Sequence, residues 1–438
     1  MKLGKFRFGG IHPNDSKNSA EISSSKLSNP PKTVLISMAQ HLGAPANLLK
    51  NKGDEVKRGE LIGEANGFIS GNVSSSFSGK VASIDIAPPP LGRGANAVLI
   101  NVDVSDGLPE YLEVPNYMSL SSEEILDKIF KAGVVGMGGA TFPTNVKVSG
   151  ASKSNCDTLI INGVECEPYI TSDYRLMLEY TEELFKGIEI IRKAIPSIKR
   201  TVVGIENNKP IAIQEMSKIA SQYNVEVMPL RLQYPQGAEK MLIDATTGRV
   251  VPVSKLPSDV GVIVVNIATL YAIYEAVAKD KPLIERLVTV SGDAIKEEKN
   301  VWVPLGTPLS HIVEECGGIN AENVLVLSGG PMMGASVPNL DQAVNKGVNS
   351  LLFLDKDKMA KDVEHPCIKC GRCGSVCPLK LDPTGIAHAS KALLPAEKLH
   401  SLDIMTCFEC GCCSYICPSK IPLAQWIRFG KDSLRRYS

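Results

Sequence analysis

GVVGMGGATFPTNVK (residues 133–147) and TLIINGVECEP (158–168) lie on either side of one short polar segment. The first is a glycine-rich loop just ahead of a strand candidate. The second is that strand ending in an acidic loop. Glycines here let backbone N–H groups approach a phosphate or a flat ring, and Lys147 adds a positive charge. The loop lacks the order GxxxxGK[ST] and precedes its strand, so neither a P-loop nor a GxGxxG fingerprint fits. Taken alone, it reads equally well as a structural turn. The acidic loop shifts that balance, because Asn162, Glu165 and Glu167 stand where a strand ends. Carboxylates can accept hydrogen bonds from ribose or ribityl hydroxyls and from a flavin or amide N–H. A solvated acidic turn is the competing reading.

Outward from this pair, residues 113–284 have an α/β rhythm. Strand candidates are Thr158–Asn162, Thr201–Ile205, Val225–Leu230 and Val260–Asn266. Helical patterns fall near Ser172–Ala194, Lys209–Ser221, Gln236–Thr246 and Thr269–Ala278. Such alternation predicts a largely parallel, Rossmann-like sheet covered on both faces, with ligands at the strands' carboxyl ends. Residues 285–355 read as a small mixed unit, with strands at Leu287–Gly292, Asn300–Val303 and Asn323–Ser328 and a helix at Pro308–Cys316. Upstream, residues 33–112 carry short alternating strands with frequent glycines (TVLIS, GDEVKRGELIGEA, FISGNVSSSFSGKVASI, AVLINV), an all-β pattern. Residues 1–32 are polar and Ser/Asn-rich around Gly9-Gly10-Ile11-His12-Pro13, and an irregular arm is expected.

The last unit, residues 356–438, is cysteine-rich and helical. Cys367-x2-Cys370-x2-Cys373-x3-Cys377-Pro378 recurs as Cys407-x2-Cys410-x2-Cys413-x3-Cys417-Pro418. Each half sets three thiolates on a tight loop, while the fourth cysteine, before proline, ligates the other cubane. The spacing thus assigns Cys367, Cys370, Cys373 and Cys417 to one [4Fe–4S] cluster, and Cys407, Cys410, Cys413 and Cys377 to a second. Zinc ribbons also use CxxC pairs, but they do not need the proline-terminated third spacing twice. Between the motifs, Ile386–Leu394 and Ala396–Leu402 favour helix, so a helical two-cluster domain is expected. Cys412 reads as a packed thiol and Cys156 and Cys316 as buried ones. Cys166 also reads as packing, with no second thiol nearby.

Of the 438 residues, 47 are Lys or Arg and 47 are Asp or Glu, a balance that gives no hint of nucleic acid. Met1–Gly10 lacks the apolar core of a signal peptide. Val260–Tyr274, the longest uncharged stretch, is too short for a bilayer and fits a strand running into a helix. With eight of twelve cysteines in one metal-type repeat, a reduced, cytoplasmic chain is expected. Lys420, Arg428, Lys431, Arg435 and Arg436 face only Asp432 in the tail, which also carries Ile421, Leu423, Trp426, Ile427 and Phe429. Two readings stay open: a packed helix with a solvated face, or a basic amphipathic helix docking at a membrane.

GMGGATFPTNVK followed by NGVECEP resembles the flavin subunits of respiratory complex I and of NAD-dependent hydrogenases. The fuller resemblance is to the RnfC family, soluble subunits of Rnf ion-translocating ferredoxin–NAD oxidoreductases. It is carried by GGIHP, MAQHLGAPA (38–46), GDEVKRGELIGEA (53–65), SSFSGKV (75–81), YPQGAEK (234–240), LSGGPMMG (327–334) and the cysteine repeat. The resemblance implies an N-terminal barrel-sandwich hybrid, a flavin domain, a β-grasp (SLBB-like) domain and a two-cluster domain. The barrel type could suggest a swinging-arm carrier, but Leu61–Gly79 holds no lysine at its hairpin tip. The implied cofactors are FMN and two [4Fe–4S] clusters, with NAD(H) as substrate. Gly136, Gly138, Gly139 and Lys147 would hold the FMN phosphate and ring edge. Asn162, Glu165, Asn266 and Thr269 would contact the flavin, and Phe142 and Glu167 the nicotinamide nucleotide, with Glu239 a further candidate. Hydride transfer needs no general acid or base, so no catalytic side chain is named. Complex-I-type flavin proteins carry Arg at Met137, Gly at Thr141 and Trp at Val148, and a fuller CGEE element at Gln236–Glu239. The implied partners are the other Rnf subunits and, through them, ferredoxin, with peripheral attachment at the cytoplasmic face of the cell membrane. A flavin-free iron–sulfur adaptor and a soluble hydrogenase or dehydrogenase flavin subunit are the alternatives.

Overall fold

The computed structural model describes residues 3–105, 111–360 and 363–437, without the side chains of Arg436 and Tyr437. The Arg436 contribution to the basic tail and the first two residues of the arm lie outside the described residues.

Strands β1 (Thr33–Ser37), β2 (Gly79–Ile86) and β3 (Asn96–Val102) form an antiparallel sheet in the order β1-β3-β2, with Glu55–Val56 beyond β2. A second sheet joins Asn47–Leu48, Leu61–Glu64 and Val73–Ser74. Period-two alternation sends Val34, Ile36, Val81, Val98 and Ile100 to one face, where they meet Ile62 and Val73. This is the barrel-sandwich hybrid. The tip of its second sheet carries Phe68, 80% exposed, where a carrier domain would need lysine.

The arm departs from the expected irregular chain. Ser24–Lys26 pairs in parallel with Asn300–Trp302, Asn18–Glu21 forms a 3-10 turn, and Gly4 and Ile11 bridge to Leu230 and Tyr234. Its anchors, Phe6 and Ile11, are buried one by one within polar sequence, so no periodicity revealed them.

The α/β unit runs α1 (Ser122–Lys131), α2 (Thr144–Lys153), β4 (Thr158–Gly163), α3 (Ser172–Glu179), α4 (Thr181–Ala194), β5 (Arg200–Glu206), α5 (Pro210–Ala220), β6 (Glu226–Leu230), α6 (Glu239–Thr247), β7 (Val262–Asn266) and α7 (Ile267–Ala278). Its sheet is parallel throughout, in the order β6-β5-β4-β7. One face packs on α1, α4, α5 and α7 and the other on α6, which is why the strands read as unbroken apolar runs. The single helix expected at Ser172–Ala194 is two helices. Tyr180 breaks it (φ −131°, ψ 37°), and its ring packs 4.8 Å from Tyr271 and 5.7 Å from Trp302.

β8 (Glu285–Ser291), β9 (Lys299–Pro304), α8 (Leu309–Glu315), β10 (Val324–Ser328) and β11 (Ser350–Asp355) follow. The sequence reading lacked β11, which lies between β8, to which it is parallel, and β10, to which it is antiparallel. Among the described residues no strand follows Asp355. There α9 (Pro383–Lys391) packs on α10 (Leu423–Tyr437) around Ile386, Ala389, Ile404, Leu423 and Ile427. The tail therefore turns its apolar stripe inward. Lys431 is itself buried, donating to the Cys407 carbonyl and to Glu409, and Arg428 pairs with Glu409 at 2.9 Å. Among the described residues no helix is long and apolar enough to cross a membrane.

Candidate functional site

The glycine loop is held at both ends and left open in the middle. At its start, the buried Lys346 ammonium donates to the carbonyls of Gly133 (2.7 Å) and Asn72 (2.8 Å). Further on, the Met137 N–H donates to Thr269 Oγ1 at 2.8 Å, and Arg286 Nη2 reaches the Met137 carbonyl at 3.4 Å. Arg93 from the barrel donates to Thr141 Oγ1 at 3.0 Å. Between these ties, Gly138, Gly139 and Ala140 are exposed, while Met137 is buried. A Cβ on Gly138 would stand 3.2 Å from Asn266 Cβ, a tight approach, and Gly139 has φ +128°, a backbone that favours glycine. Phe142 accepts the Gly136 N–H through its carbonyl, and α2 starts directly after at Thr144.

Asn162 and Asn266 are register partners at the carboxyl ends of β4 and β7. Asn162 Nδ2 donates to the Gly237 carbonyl at 2.9 Å, drawing the YPQGAEK loop over the sheet. Asn266 caps α7 by accepting from the Ala268 and Thr269 amides, and it donates to Asp173 Oδ2 at 2.6 Å. Lys147, in the first turn of α2, pairs at 2.5 Å with Glu239, in the first turn of α6. Gly136, Gly138, Gly139, Lys147, Asn162, Glu239, Asn266 and Thr269 thus gather at one end of the sheet.

The two acids of NGVECEP have internal partners. Glu165, in the left-handed region (φ +49°), accepts from the Asp173 and Tyr174 amides at 2.7 and 3.3 Å and so closes the first turn of α3. Glu167 accepts from the Met332 and Met333 amides at 3.1 and 2.9 Å, seating the LSGGPMMG loop. Burial pushes the Glu165 carboxyl up to about 7, against the opposing pull of Lys17. It does the same to Glu167, also to about 7, against those two amide bonds. Lys17, reaching in from the arm, is itself lowered to about 8 by burial and by Lys209.

The cysteines ring two cavities. One is lined by Cys367, Cys370, Cys373 and Cys417, the other by Cys377, Cys407, Cys410 and Cys413. Among the described residues no three His, Cys, Asp or Glu side chains converge on one point as a single ion demands. Sulfurs spread around a void suit a cubane, whose irons sit apart. Backbone amides already point at sulfur: Lys369 N to Cys367 (3.4 Å), Glu409 N to Cys407 (3.3 Å) and Leu381 N to Cys377 (3.4 Å). The halves match in conformation, with Lys369 and Glu409 at φ +55° and +62° and Gly371 and Gly411 at +73° and +79°.

The second cysteine loop is pressed against the acidic loop. Tyr234 Oη donates to the Cys410 carbonyl at 2.8 Å, and Ile11, Tyr234, Cys410 and Cys412 form one buried cluster against which Cys166, Met332 and Phe408 pack. Cys166 is packing, as expected, but it does have thiols nearby. They come from a segment far along the chain, which no local pattern shows. Cys412, Cys156 and Cys316 are buried as expected. Arg286, Lys346, Arg93 and Tyr234 were not among the sequence candidates. The first three act from other domains, and only the YPQGAEK motif marked the fourth.

Family comparison matches the RnfC barrel sandwich hybrid domain to residues 5–105, the Nuo51 FMN-binding domain to 129–275 and the SLBB domain to 287–336. The RnfC protein of the proton-translocating ferredoxin:NAD(+) oxidoreductase complex of Clostridium ljungdahlii is 44% identical over 437 residues, 99% of this chain and 94% of that protein. The chain belongs to the RnfC family. Other members include the corresponding protein of the Na(+)-translocating complex of Acetobacterium woodii, 39% identical over 89% of this chain and 88% of that one. The RnfC protein of the ion-translocating oxidoreductase complex of Rhodobacter capsulatus is 40% identical over 97% and 82%. A solved NAD+-reducing [NiFe]-hydrogenase, in its H2-reduced state, is similar in fold to this RnfC family member, with TM-score 0.50 and 20% identity over 72% of this chain and 61% of the other.

Proposed function

We propose that this chain is the electron-carrying subunit of an ion-translocating ferredoxin:NAD oxidoreductase complex, binding FMN, NAD(H) and two [4Fe–4S] clusters. When bound, FMN exchanges hydride with the nicotinamide and the cubanes carry electrons singly. The chain's part is to hold, orient and insulate. The open amides of Gly138 and Gly139, the N-terminus of α2 and Lys147 suit the phosphate. Asn162, Asn266 and Thr269, at the carboxyl end of the sheet, would contact the flavin, with Phe142 and Glu239 toward the nucleotide. Glu165 and Glu167 hold the loops that frame the site. The two crosswise cysteine sets, Cys367, Cys370, Cys373, Cys417 and Cys407, Cys410, Cys413, Cys377, would bind the cubanes.

The observation that carries this reading is the Tyr234–Cys410 contact, because it joins the loop of one cysteine set to the loop closing the nucleotide end of the sheet. The chain would sit peripherally at the cytoplasmic face of the membrane, next to the membrane subunits of its complex. Anaerobically purified chain should release FMN on acid precipitation and oxidise NADH with an artificial acceptor. Chain that assembles its clusters but does neither would leave the flavin-free adaptor as the correct description.

A further inference from the structure

The two halves of the cysteine repeat share a backbone but not surroundings. In the second loop, Cys410 and Cys412 are buried (9% and 0% exposed), and a Cβ on Gly411 would come within 3.0 Å of the Met332 carbonyl. Glu409 there is neutralised by Arg428 and Lys431. In the first loop the equivalent residues face open space. Cys370 is exposed, Ile368 is 67% exposed, and a Cβ on Gly371 would meet nothing within 4 Å. Where the second loop has Glu409 and Cys412, the first has Lys369 and Arg372, both exposed and without a side-chain partner among the described residues.

The described acids that flank this loop in sequence make their contacts elsewhere. Glu364 pairs with Lys391 at 3.1 Å, and Asp382 caps α9 by accepting from the Gly385 amide. The result is an apolar spot, Ile368, beside a cysteine cavity open to solvent, rimmed by positive charge. A one-electron centre needs close approach to its acceptor, and the exposed loop offers it to another molecule.

We propose that the outer face of the first cysteine loop, centred on Ile368 with Lys369 and Arg372 at its rim, is the docking surface for an acidic iron–sulfur protein or domain that exchanges single electrons with this chain. The surface rests on the functional reading above. One electron leaves the reduced partner and enters the oxidised chain, or the reverse, with no bond made or broken and no proton required. The interface is small and polar, as transient electron-transfer contacts are, and the charges raise the encounter rate more than the affinity. The repeat has diverged accordingly, the inward loop to packing residues and the outward loop to cations.

The test measures electron uptake by the oxidised full-length chain from a reduced acidic two-[4Fe–4S] ferredoxin, by stopped-flow absorbance at several salt concentrations. The wild-type second-order rate constant should fall steeply with ionic strength. The Lys369→Glu, Arg372→Glu double variant should be about tenfold slower or more at low salt, with the salt dependence flattened or reversed. Glutamate is compatible with position 369, because Glu409 occupies the same left-handed position in the other loop. EPR of the dithionite-reduced variant should show both clusters unchanged, and the Lys52→Glu, Lys57→Glu double variant, an equal charge change on the barrel domain, should leave the rate alone. A salt-independent wild-type rate, or a double variant with intact clusters and an unaltered rate, overturns the docking surface only. Wild-type chain without EPR-visible clusters overturns the functional reading, and the surface with it.

Discussion

At Lys147 and Glu239, two side chains from different helices meet at 2.5 Å with 36% and 39% of each exposed. An ion pair this open contributes at most about 1 kcal/mol to folding. Lys147→Ala should therefore leave the melting temperature nearly unchanged while weakening FMN binding by about tenfold or more, the loss of one charge-assisted contact. Fluorescence titration of the flavin-stripped chain measures this. Glu167 behaves differently, because burial raises its carboxyl to about 7. The folded chain thus holds a proton that the unfolded chain, titrating near 4.3, has already released. The stability tied to that proton is complete below the unfolded value and is lost as pH rises through about 7. Between about pH 4.5 and 7 wild-type thermal stability should fall more than that of Glu167→Gln, as read by tryptophan fluorescence. Asn162, Lys147 and the glycines were legible as site residues because each motif is local. The amide partners of Glu167 were not, since Met332 and Met333 arrive from a domain over 150 residues away.

Among the elements, the N-terminal arm does the most connecting for its size. It adds a strand to the β-grasp sheet, bridges β6 and the YPQGAEK loop, and at Gly9 and Gly10 touches the first cysteine motif, Gly10 N donating to the Val376 carbonyl at 2.9 Å. Gly9 has φ +77°, and a Cβ there would lie 2.7 Å from the Val376 carbonyl oxygen. Gly9→Ala should displace Val376 and Cys377, lowering cluster occupancy with the flavin retained, as iron and FMN analysis would show. Tyr234→Phe removes the bond to the Cys410 carbonyl and the hydroxyl's contact with Glu167. It should cost about 1 kcal/mol and raise hydrogen exchange in residues 407–413 while leaving the sheet protected. The parallel strands were readable because burial on both faces made them continuous apolar runs. The break at Tyr180 was not, because it is imposed by the aromatic pocket of Tyr271 and Trp302. β11 carries an apolar SLLFLD pattern that could have been found, though its place between β8 and β10 has no local mark.

For the molecule as a whole, the sequence supplies the units and the structure supplies their order along a path. Glycine loop, acidic loop, Tyr234, second cysteine loop and first cysteine loop follow one another from the sheet's carboxyl end to the solvent, and that succession of contacts is invisible in chain order. Crosswise ligation has a specific consequence at this scale. Cys377→Ser should disturb the cluster of the second loop, and Cys417→Ser that of the first, opposite to what proximity in sequence would give. Power-saturation EPR can tell the two apart by their different surroundings. The central claim is that electrons pass from the nucleotide end of the sheet into paired cubanes within this one chain. Its most direct test is EPR of the anaerobically purified, FMN-loaded chain after addition of NADH alone. The expected result is the appearance of reduced [4Fe–4S] signals broadened by interaction between two centres. A flavin that is reduced by NADH while both clusters stay EPR-silent, though reducible by dithionite to similar potentials, would contradict it.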